Sequence, residues 1–125
     1  MPPNKIVLVV EDELPLQNAI KFKLGKHGFD VVTARNVEQA LNHLADIPKI
    51  DLIWVDHYLL GKETGLDFVA KVKNDKKWKS IPVFIVSNTA SEDKVKSYLA
   101  LGVDKYYTKS DFRLDAIISE INSIL

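Results

Sequence analysis

Glu11, Asp12, Asp56, Ser87 and Lys109 have side chains capable of chemistry, and each stands where an apolar run of the sequence stops. Residues 6–10 lead straight into Glu11-Asp12-Glu13, residues 52–55 into Asp56, residues 81–86 into Ser87, and the run 103–107 ends just before Lys109. If the four runs are parallel strands, all five groups gather at one edge of one sheet. Three carboxylates meeting there repel one another unless positive charge intervenes. Lys109 supplies part of that charge, and a divalent cation with oxygen ligands would supply the rest. Mg2+ suits such a site better than zinc. No histidine or cysteine stands at these strand ends, and magnesium keeps several waters around few carboxylates. A phosphoryl group also fits: an aspartate oxygen can attack phosphorus while cation and lysine offset charge on the transferred oxygens and Ser87 donates to one of them. Asp56 is the candidate nucleophile because it stands alone, whereas Glu11 and Asp12 form a pair suited to holding the ion.

The elements that must position these groups alternate along the chain. Leu16, Ala19, Ile20 and Leu24 recur at helical spacing after the first strand, with Pro15 in the first turn. A short strand at 29–34 follows, then a helix carrying Val37, Ala40, Leu41 and Leu44 that closes at Pro48. The strand 50–55 leads through a polar loop to a helix opening at Gly65 and bearing Leu66, Val69 and Val72. Ser91 is placed as the N-cap of a helix with Val95, Tyr98 and Leu99, ended by Gly102. Leu114, Ile117, Ile118, Ile121 and Leu125 form the stripe of a last amphipathic helix.

Parallel strands need helical crossovers, so this alternation predicts an α/β fold: a doubly wound, five-stranded parallel sheet flanked by five helices. The apolar runs 6–10, 52–55 and 83–86 suit positions covered on both faces, and the mixed runs 29–34 and 103–107 suit edges. The resulting order is 2-1-3-4-5, with Pro82 tolerable at a strand entrance. Ligands of such sheets favour the crevice where the winding reverses, between strands one and three.

Composition bounds the answer. A chain of 125 residues with 17 basic and 17 acidic side chains is expected to form one domain, 1–125, with no output domain and no bulk attraction to nucleic acid or anionic membrane. The absence of cysteine excludes disulfides, thiol catalysis and thiolate metal sites. Residues 1–5 lack the apolar stretch of a signal peptide and no run reaches membrane-spanning length, so a cytoplasmic location is expected.

On these residues the chain resembles the receiver domain of bacterial two-component response regulators, of the single-domain, chemotaxis-regulator-like kind. Glu11-Asp12-Glu13 after the first strand resembles the family's acidic motif, Asp56 its phospho-accepting aspartate, Ser87 its switch hydroxyl and Lys109 its lysine. Tyr106 matches the aromatic switch residue. The resemblance implies a flavodoxin-like fold and Mg2+-dependent transfer of a phosphoryl group to Asp56 from a histidine kinase or histidine phosphotransfer protein. It implies direct metal binding by Asp12, help from Glu11 through water, and a further ligand in the main-chain carbonyl of Tyr58. Phosphorylation would draw Ser87 inward and let Tyr106 move, so that the segment from Ser91 to Leu125 presents a changed surface to an unknown effector protein. A monomer or a weak, phosphorylation-linked homodimer follows, with self-dephosphorylation as the only further turnover.

Several residues depart from the family pattern. Ser110 follows Lys109 where a proline in a cis bond is usual, and a cis bond before serine costs about 3 kcal/mol; the loop therefore holds that strain or takes another route. Glu11 replaces the commoner aspartate, and the loop 56–65 is longer by one residue and lacks its proline. Tyr58 and Thr89 occupy the two places that govern attack of water on the phosphoaspartate; with a bulky tyrosine and no carboxylate there, slow dephosphorylation is expected.

Two other functions stay open at this point: a receiver-like module that binds partners without phosphate, and a metal-dependent phosphohydrolase. The second lacks the paired aspartates, two apart, that such enzymes use after a strand. Gly61-Lys62-Glu63-Thr64 lacks the upstream glycine of a phosphate-binding loop. His27, His43 and His57 share no metal-ligand spacing, and His57 points away from Asp56 by strand alternation. Lys71, Lys73, Lys76, Lys77 and Lys79 around Trp78 read as a solvated helix exit rather than a nucleic-acid surface.

Overall fold

A computed structural model describes residues 3–88 and 91–125. Its elements are β1 (Ile6–Val10), α1 (Leu14–Lys26), β2 (Asp30–Ala34), α2 (Val37–Asp46), β3 (Leu52–Val55), α3 (Gly65–Lys73), β4 (Val83–Ser87), α4 (Glu92–Leu101), β5 (Lys105–Thr108) and α5 (Leu114–Ile124). All strand pairs are parallel, in the order β2-β1-β3-β4-β5. The expected fold, order and edge strands are therefore present. Boundaries differ by one or two residues: β2 begins at Asp30, β3 at Leu52, and β5 is shifted forward to Thr108. Pro82 stands just outside β4, where its carbonyl accepts from the Ile53 amide at 2.9 Å.

Helix starts are set by local chemistry. Asn36 accepts from the Gln39 amide, Ser91 from the Lys94 amide, and Thr64 and Asp67 form a reciprocal capping box at α3. α4 ends at Gly102 with φ 91°, the left-handed conformation that glycine adopts without a Cβ clash.

Alternation along the strands divides the core in two. Leu8, Val10, Ile53, Val55 and Ile85 pack with Val37, Phe68, Val69, Val72 and Tyr98, on the side of α2, α3 and α4. Val7, Val9, Leu52, Trp54, Phe84 and Val86 pack with Ile20, Leu24, Ile117, Ile118 and Ile121, on the side of α1 and α5. Trp54 is fully buried, and its indole Nε1 has no hydrogen-bond partner among the described residues. The α4 stripe is narrower than its spacing predicts. Only Tyr98 is buried, Val95 is half-buried, and Leu99 is 53% exposed. In the lysine-rich segment after α3, the Lys73 ammonium bonds the Lys79 carbonyl and Trp78 packs on the core edge, as a solvated helix exit would.

Candidate functional site

The strand register carries four chain segments to the same edge. Val10 pairs with Val55, Val55 with Ile85, and Ser87 with Thr108. Two backbone bonds extend the ladders past the strand ends: the Asp56 amide to the Val10 carbonyl at 3.0 Å, and the Lys109 amide to the Ser87 carbonyl at 2.8 Å. Glu11 and Asp56 thus emerge side by side, with Ser87 and Lys109 beyond them.

The side chains converge. The Lys109 ammonium donates to Glu11 Oε1 at 2.8 Å and to Asp56 Oδ2 at 3.2 Å. Glu11 and Ser87 are fully buried, Asp56 nearly so, and Asp12 half-buried. Burial raises the Glu11 pKa; the Lys109 hydrogen bond works against that, and the Asp56 charge adds to it. Burial opposes the Lys109 ammonium, but its hydrogen bond to Glu11 and the Asp56 charge outweigh burial and hold its pKa above the usual lysine value. Lys109 therefore stays cationic at neutral pH.

Glu11, Asp12 and Asp56 each present a carboxylate oxygen, all within 4.8 Å of one another. Among the described residues nothing pairs with the Asp12 carboxylate. Three hard oxygen donors facing one lysine leave uncompensated negative charge, and the donor set fits a magnesium- or manganese-like ion. None of the three histidines belongs to this group. The Lys109–Ser110 bond is trans, since no described peptide bond is cis, so the loop takes the other of its two expected routes.

Tyr106 is half-buried, its hydroxyl bonded to Ser87 and its ring centroid 5.7 Å from that of Tyr98. Burial raises its pKa, partly offset by the Ser87 bond. Tyr58 is 52% exposed, and its hydroxyl accepts from the Lys94 ammonium at 2.9 Å. Thr89 lies outside the described residues.

Further residues support the site without having stood out in the sequence. Gln17 is buried and its amide donates to the Glu11 carbonyl at 2.9 Å. Arg35 donates twice to the Asp12 carbonyl, from Nε at 3.0 Å and Nη2 at 2.9 Å. The His57 amide donates to Asp56 Oδ1 at 2.7 Å, while its ring meets the Tyr98 hydroxyl on the far side of the sheet. Gly65 is required by space, because a Cβ there would lie 2.2 Å from the Asp56 carbonyl oxygen. Gln17 and Arg35 act through backbone carbonyls, which leave no pattern of residue types to read. In the sequence Gly65 reads only as a helix start.

Residues 7–122 match the response regulator receiver domain family. The chain belongs to that family. The receiver is 32% identical over 119 residues to the phosphate regulon transcriptional regulatory protein PhoB of Escherichia coli K12, a match covering 95% of this chain and 51% of PhoB. It thus spans about half the length of that curated relative. Among solved structures, the receiver resembles the phosphorylated cyanobacterial phytochrome response regulator RcpA, with a TM-score of 0.82 and 29% identity over 97% of this chain and 91% of that one. It also resembles the Mn2+-bound form of response regulator Rcp1, with a TM-score of 0.79 and 26% identity over 96% of this chain and 91% of that one. That form of Rcp1 holds Mn2+, and in this chain Glu11, Asp12 and Asp56 make up an acidic cluster whose oxygens could hold a metal ion. Among the described residues no helix is long and apolar enough to cross a membrane.

Proposed function

We propose that this receiver accepts a phosphoryl group on Asp56 from the phosphohistidine of a histidine kinase or histidine phosphotransfer protein. The observation that carries the reading is the Lys109 ammonium, bonded at once to Glu11 and to Asp56 Oδ2, while the Lys109 amide donates to the carbonyl of the buried Ser87. Asp56 Oδ2 attacks phosphorus, a P–O bond forms, the P–N bond to the donor imidazole breaks, and the imidazole leaves with the electron pair. Oδ1 stays anchored by the His57 amide. Lys109 follows the transferred group and pairs with one phosphoryl oxygen, and Ser87 donates to another. Asp12 and Asp56, the Tyr58 carbonyl, and Glu11 through water would hold Mg2+, which supplies charge neutralisation to the transfer.

Drawing Ser87 toward the phosphoryl group takes it from Tyr106 and frees that ring to change position. The surface of α4, β5 and α5 then changes. Leu99, Phe112 and Ile124 are exposed apolar side chains in this part of the chain, available to a protein partner.

The test is intact-mass spectrometry after incubation with Mg2+ and a small acyl phosphate. A single phosphate adduct that disappears in Asp56→Asn supports the reading. No adduct from any donor would favour a phosphate-independent binding module, and steady release of inorganic phosphate from simple phosphate esters would favour a hydrolase.

A further inference from the structure

We infer that Arg35 is a positioning residue for the divalent-cation site, stitching together the two backbone segments that carry its ligands. The inference rests on the metal-binding reading of Glu11, Asp12 and Asp56. Strands β2 and β3 are not neighbours, because β1 lies between them. Arg35, the first residue after β2, nevertheless reaches both sides of the site. Its guanidinium donates two hydrogen bonds to the Asp12 carbonyl, and its own carbonyl accepts from the Leu60 amide at 3.1 Å. Leu60 belongs to the loop that leaves Asp56 and contains Tyr58. The Gln39 side chain fixes the Arg35 amide at 2.8 Å, so the residue is itself held at the start of α2.

The rest of the acidic turn is tied from inside the fold: the Glu11 amide to the Ala34 carbonyl, and the Glu11 carbonyl to Gln17. For the Asp12 carbonyl, the side-chain hold is Arg35. A planar fork fixes the direction of that carbonyl in a way a single ammonium does not. The carboxylate of Asp12 is carried on the same residue, so letting the peptide turn lets the ligand drift.

Two effects of Arg35 on the cation oppose each other. Its hold on Asp12 favours binding, while its positive charge repels the ion. Arg35→Lys separates them, because it keeps the charge and loses the fork. Arg35→Met loses both.

The experiment is calorimetric titration of the full chain with Mg2+, paired with the rate of phosphate-adduct formation from an acyl phosphate at rising Mg2+. Arg35→Lys is expected to weaken Mg2+ binding by about threefold or more, less than the 10–100-fold that follows loss of a group bonded directly to a metal ligand. The rate at saturating Mg2+ should stay within about twofold of the parent, since Arg35 touches no reacting atom. Affinity unchanged or tightened in the lysine variant overturns the inference. So does a fall in the saturated rate with unchanged affinity, and so does loss of the metal-free fold in both variants by circular dichroism. A parent chain that binds no Mg2+ defeats instead the metal-binding reading on which the inference rests.

Discussion

The ring of His57 and the hydroxyl of Tyr98 share a 2.7 Å hydrogen bond between two buried side chains. His57 follows Asp56 directly, and Tyr98 is the one buried side chain of α4. The helix is therefore tied to the segment that follows β3 by this buried contact, set among the rings of His57, Tyr98 and Tyr106, and by the exposed Lys94–Tyr58 bond. Tyr98→Phe keeps the ring but strands the His57 Nδ1. Leaving a buried polar atom unpaired costs about 1–3 kcal/mol. Urea denaturation should register that loss, and amide exchange should quicken in α4 before the sheet.

Gly65 sets a steric limit on the same corner. Alanine would press on the Asp56 carbonyl at 2.2 Å and on the Tyr98 hydroxyl at 2.9 Å. The first contact is backbone, so the α3 start or the Asp56 peptide must move. Gly65→Ala is expected to lower stability by about 1–3 kcal/mol and to slow adduct formation, read by denaturation and intact mass. An alanine variant with parent stability and rate would disprove the constraint.

Lys109→Met should split two properties that usually fall together. It removes the cation nearest Glu11 and Asp56, so Mg2+ should bind more tightly. Phosphoryl uptake should fall by an order of magnitude or more, about 10²-fold where one charge-stabilising donor is lost. Titration calorimetry and mass spectrometry read the two halves separately.

Tyr58, two residues after Asp56, is steadied by Lys94 at both its hydroxyl and its ring face, with the ammonium 5.1 Å from the ring centroid. Tyr58→Asn should speed decay of the phosphorylated form by admitting water, and Lys94→Met should do so in part by loosening the ring. Equal decay rates in all three chains would remove any shielding role.

The Lys23–Asp115 pair joins α1 to α5 at the surface. The Lys23 hydrogen bond, then its charge, hold the Asp115 carboxyl below the usual aspartate value. A depressed folded pKa means the contribution is present above the unfolded value and is lost as pH falls through the folded one. Carboxyl NMR should show Asp115 returning toward the ordinary range in Lys23→Gln, and at high salt in the parent.

The sequence alone yields the strand order and the polar groups at one sheet edge because both depend on what ends an apolar run. Glu11, Asp56, Ser87 and Lys109 are visible as polar residues following buried strands, and parallel pairing does the rest. Arg35 and Gln17 are not visible in that way, since their partners are carbonyl oxygens that every residue has. The α4 face is misjudged for a related reason. Val95, Tyr98 and Leu99 have the spacing of a stripe, but the short helix fully buries Tyr98 alone, Leu101 packs only on the core edge, and Leu99 is left in solvent.

The two tryptophans occupy opposite settings. Trp54, two residues before Asp56, sits in the core with no partner for its indole nitrogen among the described residues; Trp78 lies half in solvent beyond the end of α3. Their emission should separate into a blue and a red component. Trp78→Phe would leave one intrinsic lamp beneath the site, able to follow ion or phosphate arrival in real time without any attached dye.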